Sequence, residues 1–168
     1  MAMKDNPPGS ENRKWRNDGQ RAVDSAFRLL ARRDHTRWEL KVKLRQKGFG
    51  KNDIAEALAR CEELGYLDDA KTAVTMAGHL VNRGYGILRI RYALGQKGLD
   101  DAFIDNALNC CGDETDQVRC ARRVLKKKKG RLLREADLTK RRQMAYRFLA
   151  GRGFSGGVIR RVLDDDSL

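Results

Sequence analysis

Proline is nearly missing from this chain. Its 168 residues hold two, Pro7 and Pro8, so from residue 9 onward no ring fixes φ or removes a backbone donor, and helix is permitted throughout. Long apolar runs are missing as well. Nothing approaches the roughly 18 apolar residues of a membrane span, and the N-terminus has no apolar stretch of the signal-peptide kind. No membrane partner is expected, and the expected location is cytoplasmic. Aromatic residues make up only 7 % of the chain, so a stacking platform for single strands is not strongly signalled.

Paired cysteine and histidine spacings are also lacking. Cys61, Cys110, Cys111 and Cys120 form no C-x-x-C, and the two histidines, His35 and His79, lie far from them in sequence. A zinc site needs about four ligands in paired spacings. No metal is expected, and the cysteines read as reduced, buried, small apolar side chains. There is no nucleophile with a plausible base, no phosphate-binding loop, and no carboxylate pair set in an apolar run. Asp68 and Asp69 are adjacent, hence on different helix faces. Neither an enzyme nor a cofactor is expected.

What is present in excess is positive charge. Against 23 acids stand 36 Lys and Arg, a formal charge of +13. Such an excess favours a polyanionic partner: DNA, RNA or an acidic protein surface. Apolar residues at 40 % suffice for a modest interior, so the chain is one ordinary domain or a few small units sharing one core.

The sequence repeats itself. At an offset of 50, Arg33 falls on Arg83, Trp38 on Leu88, Leu40 on Ile90, Leu44 on Leu94, Gly48 on Gly98, Ile54 on Ile104 and Leu58 on Leu108. A further offset of 55 brings in Leu149, Gly153, Phe154, Ile159 and Leu163. Three helical units of about 50 residues mark a repeat array, with the five extra residues placed near 130–137. The predicted boundaries are a flexible basic tail over 1–18 and three-helix repeats over 19–66, 67–112 and 113–168.

In the first repeat, helix one is predicted over about 20–33. Helix two is capped by Thr36 with Glu39 reaching back in a capping box, and it ends before Gly48. Helix three follows Gly50 and runs to Gly65. Asp100 and Ser155 stand where Gly50 does and are good N-caps, and Asp68 is the candidate cap for the next repeat's first helix. The recurring "LRQKGF", "LGQKGL" and "LAGRGF" read as helix stops. With Gly48 left-handed, Leu44 and Phe49 take the apolar positions of a Schellman motif. A phosphate loop would instead open a helix.

Charge follows the repeat. Helix two of the first unit carries Arg37, Lys41, Lys43, Arg45 and Lys47 against Glu39 alone, and Arg37, Lys41 and Arg45 share a face. Arg83, Arg89, Arg91 and Lys97 lie in or beside helix two of the second unit; Lys140, Arg141, Arg142, Arg147 and Arg152 do so in the third. The densest run, residues 119–134, holds nine bases and no acid, among them Arg122, Arg123, Lys126, Lys127, Lys128 and Lys129. Together these are the candidate surface for non-specific contact with DNA phosphate. The third helices of units one and two are acidic, which argues against the alternative of a helix-turn-helix transcription regulator reading bases with helix three.

Three segments, "RRDHTRWELKVKLRQKGF", "CEELGYLDDAK" and "NRGYGILRIRYALGQKGL", resemble the RecX family of bacterial regulators of the recombinase RecA. The resemblance spans about Ala26 to Asp165, with "GYLDD" and "RGYG…RIR…L…KG" its most specific parts. Ile87 departs from it, since many family members have proline there; a helix start tolerates either. The resemblance implies an all-α, elongated and curved array of three three-helix repeats lying in the groove of the RecA–DNA filament. There it limits filament extension or promotes disassembly, restraining strand exchange, ATP turnover and co-protease activity. The implied partners are the RecA filament and single- and double-stranded DNA, met by a monomer whose basic face approaches phosphate while its acidic third helices face protein.

Overall fold

A computed structural model describes residues 10–165, with side chains over 18–164. Among these residues the chain is all-α, in the order α1 (Ser10–Leu30), α2 (Arg37–Gln46), α3 (Lys51–Glu63), α4 (Asp69–Asn82), α5 (Ile87–Gly95), α6 (Asp101–Asn109), α7 (Glu114–Lys126), α8 (Lys129–Leu132), α9 (Leu138–Gly151) and α10 (Gly156–Asp165). Two compact units divide the chain, one through Thr72 and one from Ala73.

Helix one of the first repeat begins about ten residues earlier than the sequence suggests. Of the predicted tail over 1–18, residues 1–9 lie outside the described residues and the remainder forms the opening turns of α1. Polar composition does not exclude helix there; at its edge Arg21 reaches Asp18 at 2.9 Å, a pair one turn apart. The third repeat also differs, since α8 makes a fourth, short helix where the five extra residues were placed. It is anchored by buried Leu132.

The first unit packs α1 along α3 with α2 across them. Its core joins Ala22, Val23 and Ala26 to Leu40 and Leu44, and to Ile54, Ala57, Leu58, Cys61 and Leu67. Thr36 caps α2 as expected: its hydroxyl accepts from the Glu39 N–H at 3.1 Å, and the Glu39 carboxylate accepts from the Thr36 N–H at 3.4 Å.

The helix stop follows the expected geometry. Gly48 has φ +87°; its N–H donates to Arg45 O at 2.9 Å, and the Phe49 N–H donates to Leu44 O at 3.3 Å. These are the two bonds of a Schellman motif, which needs a left-handed residue at that point. The third copy repeats both, from Gly153 to Ala150 O at 2.8 Å and from Phe154 to Leu149 O at 3.3 Å. In the second copy Gly98 donates to Gly95 O at 2.9 Å.

"GYLDD" divides its labour in the same terms. Gly65 (φ +71°) ends α3, and Leu67 is buried in the core. The Asp68 carboxylate caps α4 by accepting from the Lys71 N–H at 2.9 Å. Asp69 accepts from the Arg37 N–H at 2.7 Å, placing a negative charge at the donor end of α2.

In the second unit, one core cluster joins Ala73 and Ala77 to Ile90, Leu94, Leu99, Ile104 and Ala107. Another gathers Val118, Ala121 and Leu125, Leu132, Ala145 and Leu149, and Phe154, Ile159, Val162 and Leu163. Burial keeps the repeat register. Leu44, Leu94 and Leu149 are all fully buried, as are Ala57, Ala107 and Val162; each buried leucine contributes about 1.5–3 kcal/mol. Asp100 occupies the N-cap of α6 without a side-chain bond, whereas the Ser155 hydroxyl accepts from the Val158 N–H at 3.3 Å.

The two repeats of this unit meet backbone to backbone. The Gly86 N–H donates to Arg152 O at 2.9 Å, and the Leu88 N–H to Gly153 O at 3.1 Å. Unpaired donors at the start of α5 are therefore satisfied by the carbonyls just past α9. A Cβ on Gly86 would fall 2.4 Å from Gly153 O, and one on Gly153 would fall 2.4 Å from the Arg89 backbone nitrogen.

Candidate nucleic-acid interface

The basic residues of helix two separate into two sets once side chains are placed. Arg37 pairs with Glu62 of α3, Arg91 with Asp105 of α6, and Arg142 with Asp164 of α10 at 2.8 Å. In every repeat, then, one arginine of helix two is engaged by a carboxylate of helix three. Such exposed pairs contribute about 0–1 kcal/mol each, and they account for part of the charge alternation between these helices.

Lys41, Arg45 and Lys47 form the other set. They are exposed and make no ion pair among the described residues. Trp38, at i and i+3 from Lys41, joins their face and is 49 % exposed. Leu88 and Tyr92 take the corresponding side of α5, at 56 % and 61 % exposed, beside exposed Arg89. On α9, Arg147 and Tyr146 are exposed together. These large apolar groups were not anticipated in the site. The available signal was phase: Trp38 and Leu88 are out of register with the buried Leu40–Leu44 and Ile90–Leu94 stripes. Exposed tyrosine beside exposed arginine, as on α5 (Tyr92 with Arg89) and on α9 (Tyr146 with Arg147), is the composition of a binding surface.

A second concentration of charge lies between α7 and α9. Arg152 is turned inward: Nη1 donates to Arg83 O at 3.0 Å and Gly84 O at 3.2 Å, with the guanidinium 5.4 Å from the Tyr85 ring and 5.3 Å from the Phe148 ring. Arg83 lies 5.7 Å from the Tyr85 ring, Lys128 5.7 Å from the Phe148 ring, and Arg123 donates to Val81 O at 3.4 Å. Lys127 joins them. Lys126, Lys129 and Arg122 are exposed nearby in sequence, and Lys97 is half-buried after α5. The structure thus brings Arg83 and Arg152 to Arg123, Lys127 and Lys128 of the basic run, three parts of the chain that sequence spacing could not connect.

The start of α2 gathers three buried polar side chains, His35, Thr36 and Glu39, while Thr72 and Gln117 are buried singly elsewhere. Glu39 is 8 % exposed and accepts two bonds from the Arg33 guanidinium, both at 3.2 Å. His35 is 3 % exposed; its Nδ1 has no hydrogen bond and lies 3.6 Å from a Glu39 oxygen. Burial, then the Arg33 charge, hold the His35 pKa below 6.5, against the opposing pull of Glu39. Among the cysteines, Cys61 and Cys120 are buried as expected, but Cys110 is exposed because it caps the solvent end of α6. Burial pushes the Cys61 and Cys111 thiols up. No group of three or more His, Cys, Asp or Glu able to hold a metal lies among the described residues, and no helix there is long and apolar enough to cross a membrane.

Comparison with known proteins matches three consecutive parts of this chain. Residues 22–61 match the first three-helix domain of RecX, 68–108 the second and 114–163 the third. The chain is 38 % identical over 146 residues to "Regulatory protein RecX" of Legionella pneumophila (strain Corby), covering 86 % of this chain and 94 % of that protein. It is 41 % identical over 143 residues to the same-named protein of Chlorobaculum tepidum, covering 84 % and 86 %. Its fold is similar to the crystal structure of RecX from Lactobacillus salivarius, with TM-score 0.81, 22 % identity, and coverage of 89 % and 96 %. With three family domains in order and relatives matched over nearly their whole length, this chain belongs to the RecX family of regulatory proteins.

Proposed function

We propose that this protein is a regulator, mainly negative, of the recombinase RecA. It binds the RecA–DNA filament in its groove and limits extension or promotes disassembly, restraining recombination, ATP turnover and co-protease activity. It works in the cytoplasm as a monomer, without catalysis of its own, and touches single- and double-stranded DNA through phosphate rather than sequence.

The observation that carries this reading is the outward face of α2, where Lys41 and Arg45, with no ion pair among the described residues, stand beside exposed Trp38. Unpaired cations suit phosphate, since each contact releases counterions, and an exposed Trp suits a protein surface or a base. A filament of protein on DNA offers both at once. Base reading by helix three is disfavoured, because α3 presents Glu62 and Glu63, each already holding an arginine.

Reversing Lys41 and Arg45 to Glu tests the reading without touching the core. Inhibition of RecA ATP turnover on single-stranded DNA should require about tenfold or more protein, as expected when two phosphate contacts become repulsive. Inhibition at the wild-type concentration would sink it.

A further inference from the structure

Five cations of the second unit, Arg83, Arg123, Lys127, Lys128 and Arg152, surround one cavity of about 250 Å³, and among the described residues no carboxylate lines it. For four of them the structure gives the groups that hold them, and none of those groups is a carboxylate. Arg152 is held by two backbone carbonyls and two ring faces, Arg83 and Lys128 by ring faces, and Arg123 by a carbonyl and the Cys120 sulfur. Carbonyls and rings fix a cation in place without neutralising it. Arg37, Arg91 and Arg142, by contrast, are each compensated by a carboxylate.

The turn is built around this arrangement. Gly84 is buried with φ +80°, and a Cβ there would meet Val124 at 2.4 Å. Only glycine lets the chain turn at this point and leave the Arg83 and Gly84 carbonyls on the Arg152 guanidinium. Clustered like charges raise the free energy of the folded state unless an anion joins them.

We propose that this cavity is a phosphate-binding pocket, which receives a backbone phosphate of a nucleic-acid strand. Its volume is below the roughly 300 Å³ at which sites for whole small molecules begin, so it suits a phosphate group rather than a nucleoside. A guanidinium with its fork already oriented matches phosphate oxygens well. The nucleic-acid source rests on the reading under Proposed function; the phosphate chemistry rests on the pocket alone.

The test uses the full chain, a pocket variant (Arg123→Gln with Lys127→Gln) and an equal-charge control on the same segment (Lys129→Gln with Arg134→Gln). Inorganic pyrophosphate at constant ionic strength should raise the melting temperature of the wild type and the control by roughly 3–6 °C at tenfold excess over its dissociation constant. The pocket variant should show no rise. Its urea midpoint without anion should equal or exceed that of the wild type, which excludes misfolding as the cause. For a single-stranded oligonucleotide, the pocket variant should lose about 0.7 in the slope of log affinity against log salt per phosphate contact removed, and more than the control loses. Equal responses in both variants, or no response in the wild type, would overturn the pocket. Pyrophosphate binding with strand binding unchanged would overturn the nucleic-acid source and assign a free phosphorylated solute. No RecA is present in these measurements, so their failure is separable from that of the Lys41 and Arg45 variant in the filament assay.

Discussion

The stop after α2 and the stop after α9 share one backbone conformation in opposite surroundings. Gly48 and Gly153 both have positive φ, +87° and +82°, and both close the same pair of bonds. Yet nothing lies within 4 Å of a Cβ added to Gly48, while one added to Gly153 would strike Arg89 of the second repeat. In the first unit the glycine serves only its own turn. In the second it serves the turn and also lets two repeats approach backbone to backbone. Identical motifs in a repeat array therefore carry unequal constraint, set by what is stacked on them.

Substitution at the two glycines should break or keep this contrast most visibly. Gly153→Ala should cost about 3–5 kcal/mol, left-handed strain plus steric overlap with a neighbouring backbone. Gly48→Ala should cost about 1–2 kcal/mol, the strain alone. Urea unfolding of both variants measures the difference, and equal costs would show that the second-repeat contact adds nothing.

A smaller effect separates the ways in which helix two is capped. Thr36 caps α2, and Asp137 caps α9 by accepting from the Thr139 and Lys140 N–H groups at 2.8 and 3.1 Å; α5 has no side-chain cap and uses the carbonyls beyond α9. Thr36→Ala and Asp137→Ala should each cost about 1 kcal/mol in thermal or urea unfolding.

The first unit should also carry a pH dependence of its own. His35 has its pKa lowered on folding, so the folded state disfavours the protonated form. Its contribution is fully present above the unfolded value of 6.5 and is lost as pH falls below it. Melting temperature should decline from pH 7.5 to 5.5, and His35→Gln should flatten that decline; an unaltered slope would remove His35 from the account.

The least change is expected at Ile87, the first residue of α5. Gly86 and Leu88 donate to the carbonyls beyond α9, and Ile87 is free of that duty. Ile87→Pro should then alter stability by less than about 0.5 kcal/mol. A larger loss would mean that the Ile87 side chain, half-buried, supports the junction between the repeats.

Much of this was legible beforehand, because the features were local. Thr36 with Glu39, Asp68 before α4, and Leu44–Gly48–Phe49 each act within a few residues, so spacing sufficed to read them. The start of α1 was not legible, since polar composition alone does not separate helix from coil. The site was legible only as a list of bases. Nothing in spacing told Arg37, paired with Glu62, from Lys41, or placed Arg83 beside Arg152, 69 residues away. Which charge is compensated depends on tertiary contacts, and those belong to the fold.

The bonds from Gly86 and Leu88 to Arg152 O and Gly153 O also impose an order on how the chain can fold as it is synthesised. The start of α5 leaves the ribosome 66 residues before the carbonyls that complete it. Until residue 153 has emerged, the second repeat holds its apolar residues without a finished second helix. In the first unit the cap of α2, Thr36 with Glu39, lies within a few residues of the helix it opens. The second must wait for almost its last helix, so in a protein made from its N-terminus its two repeats mature together.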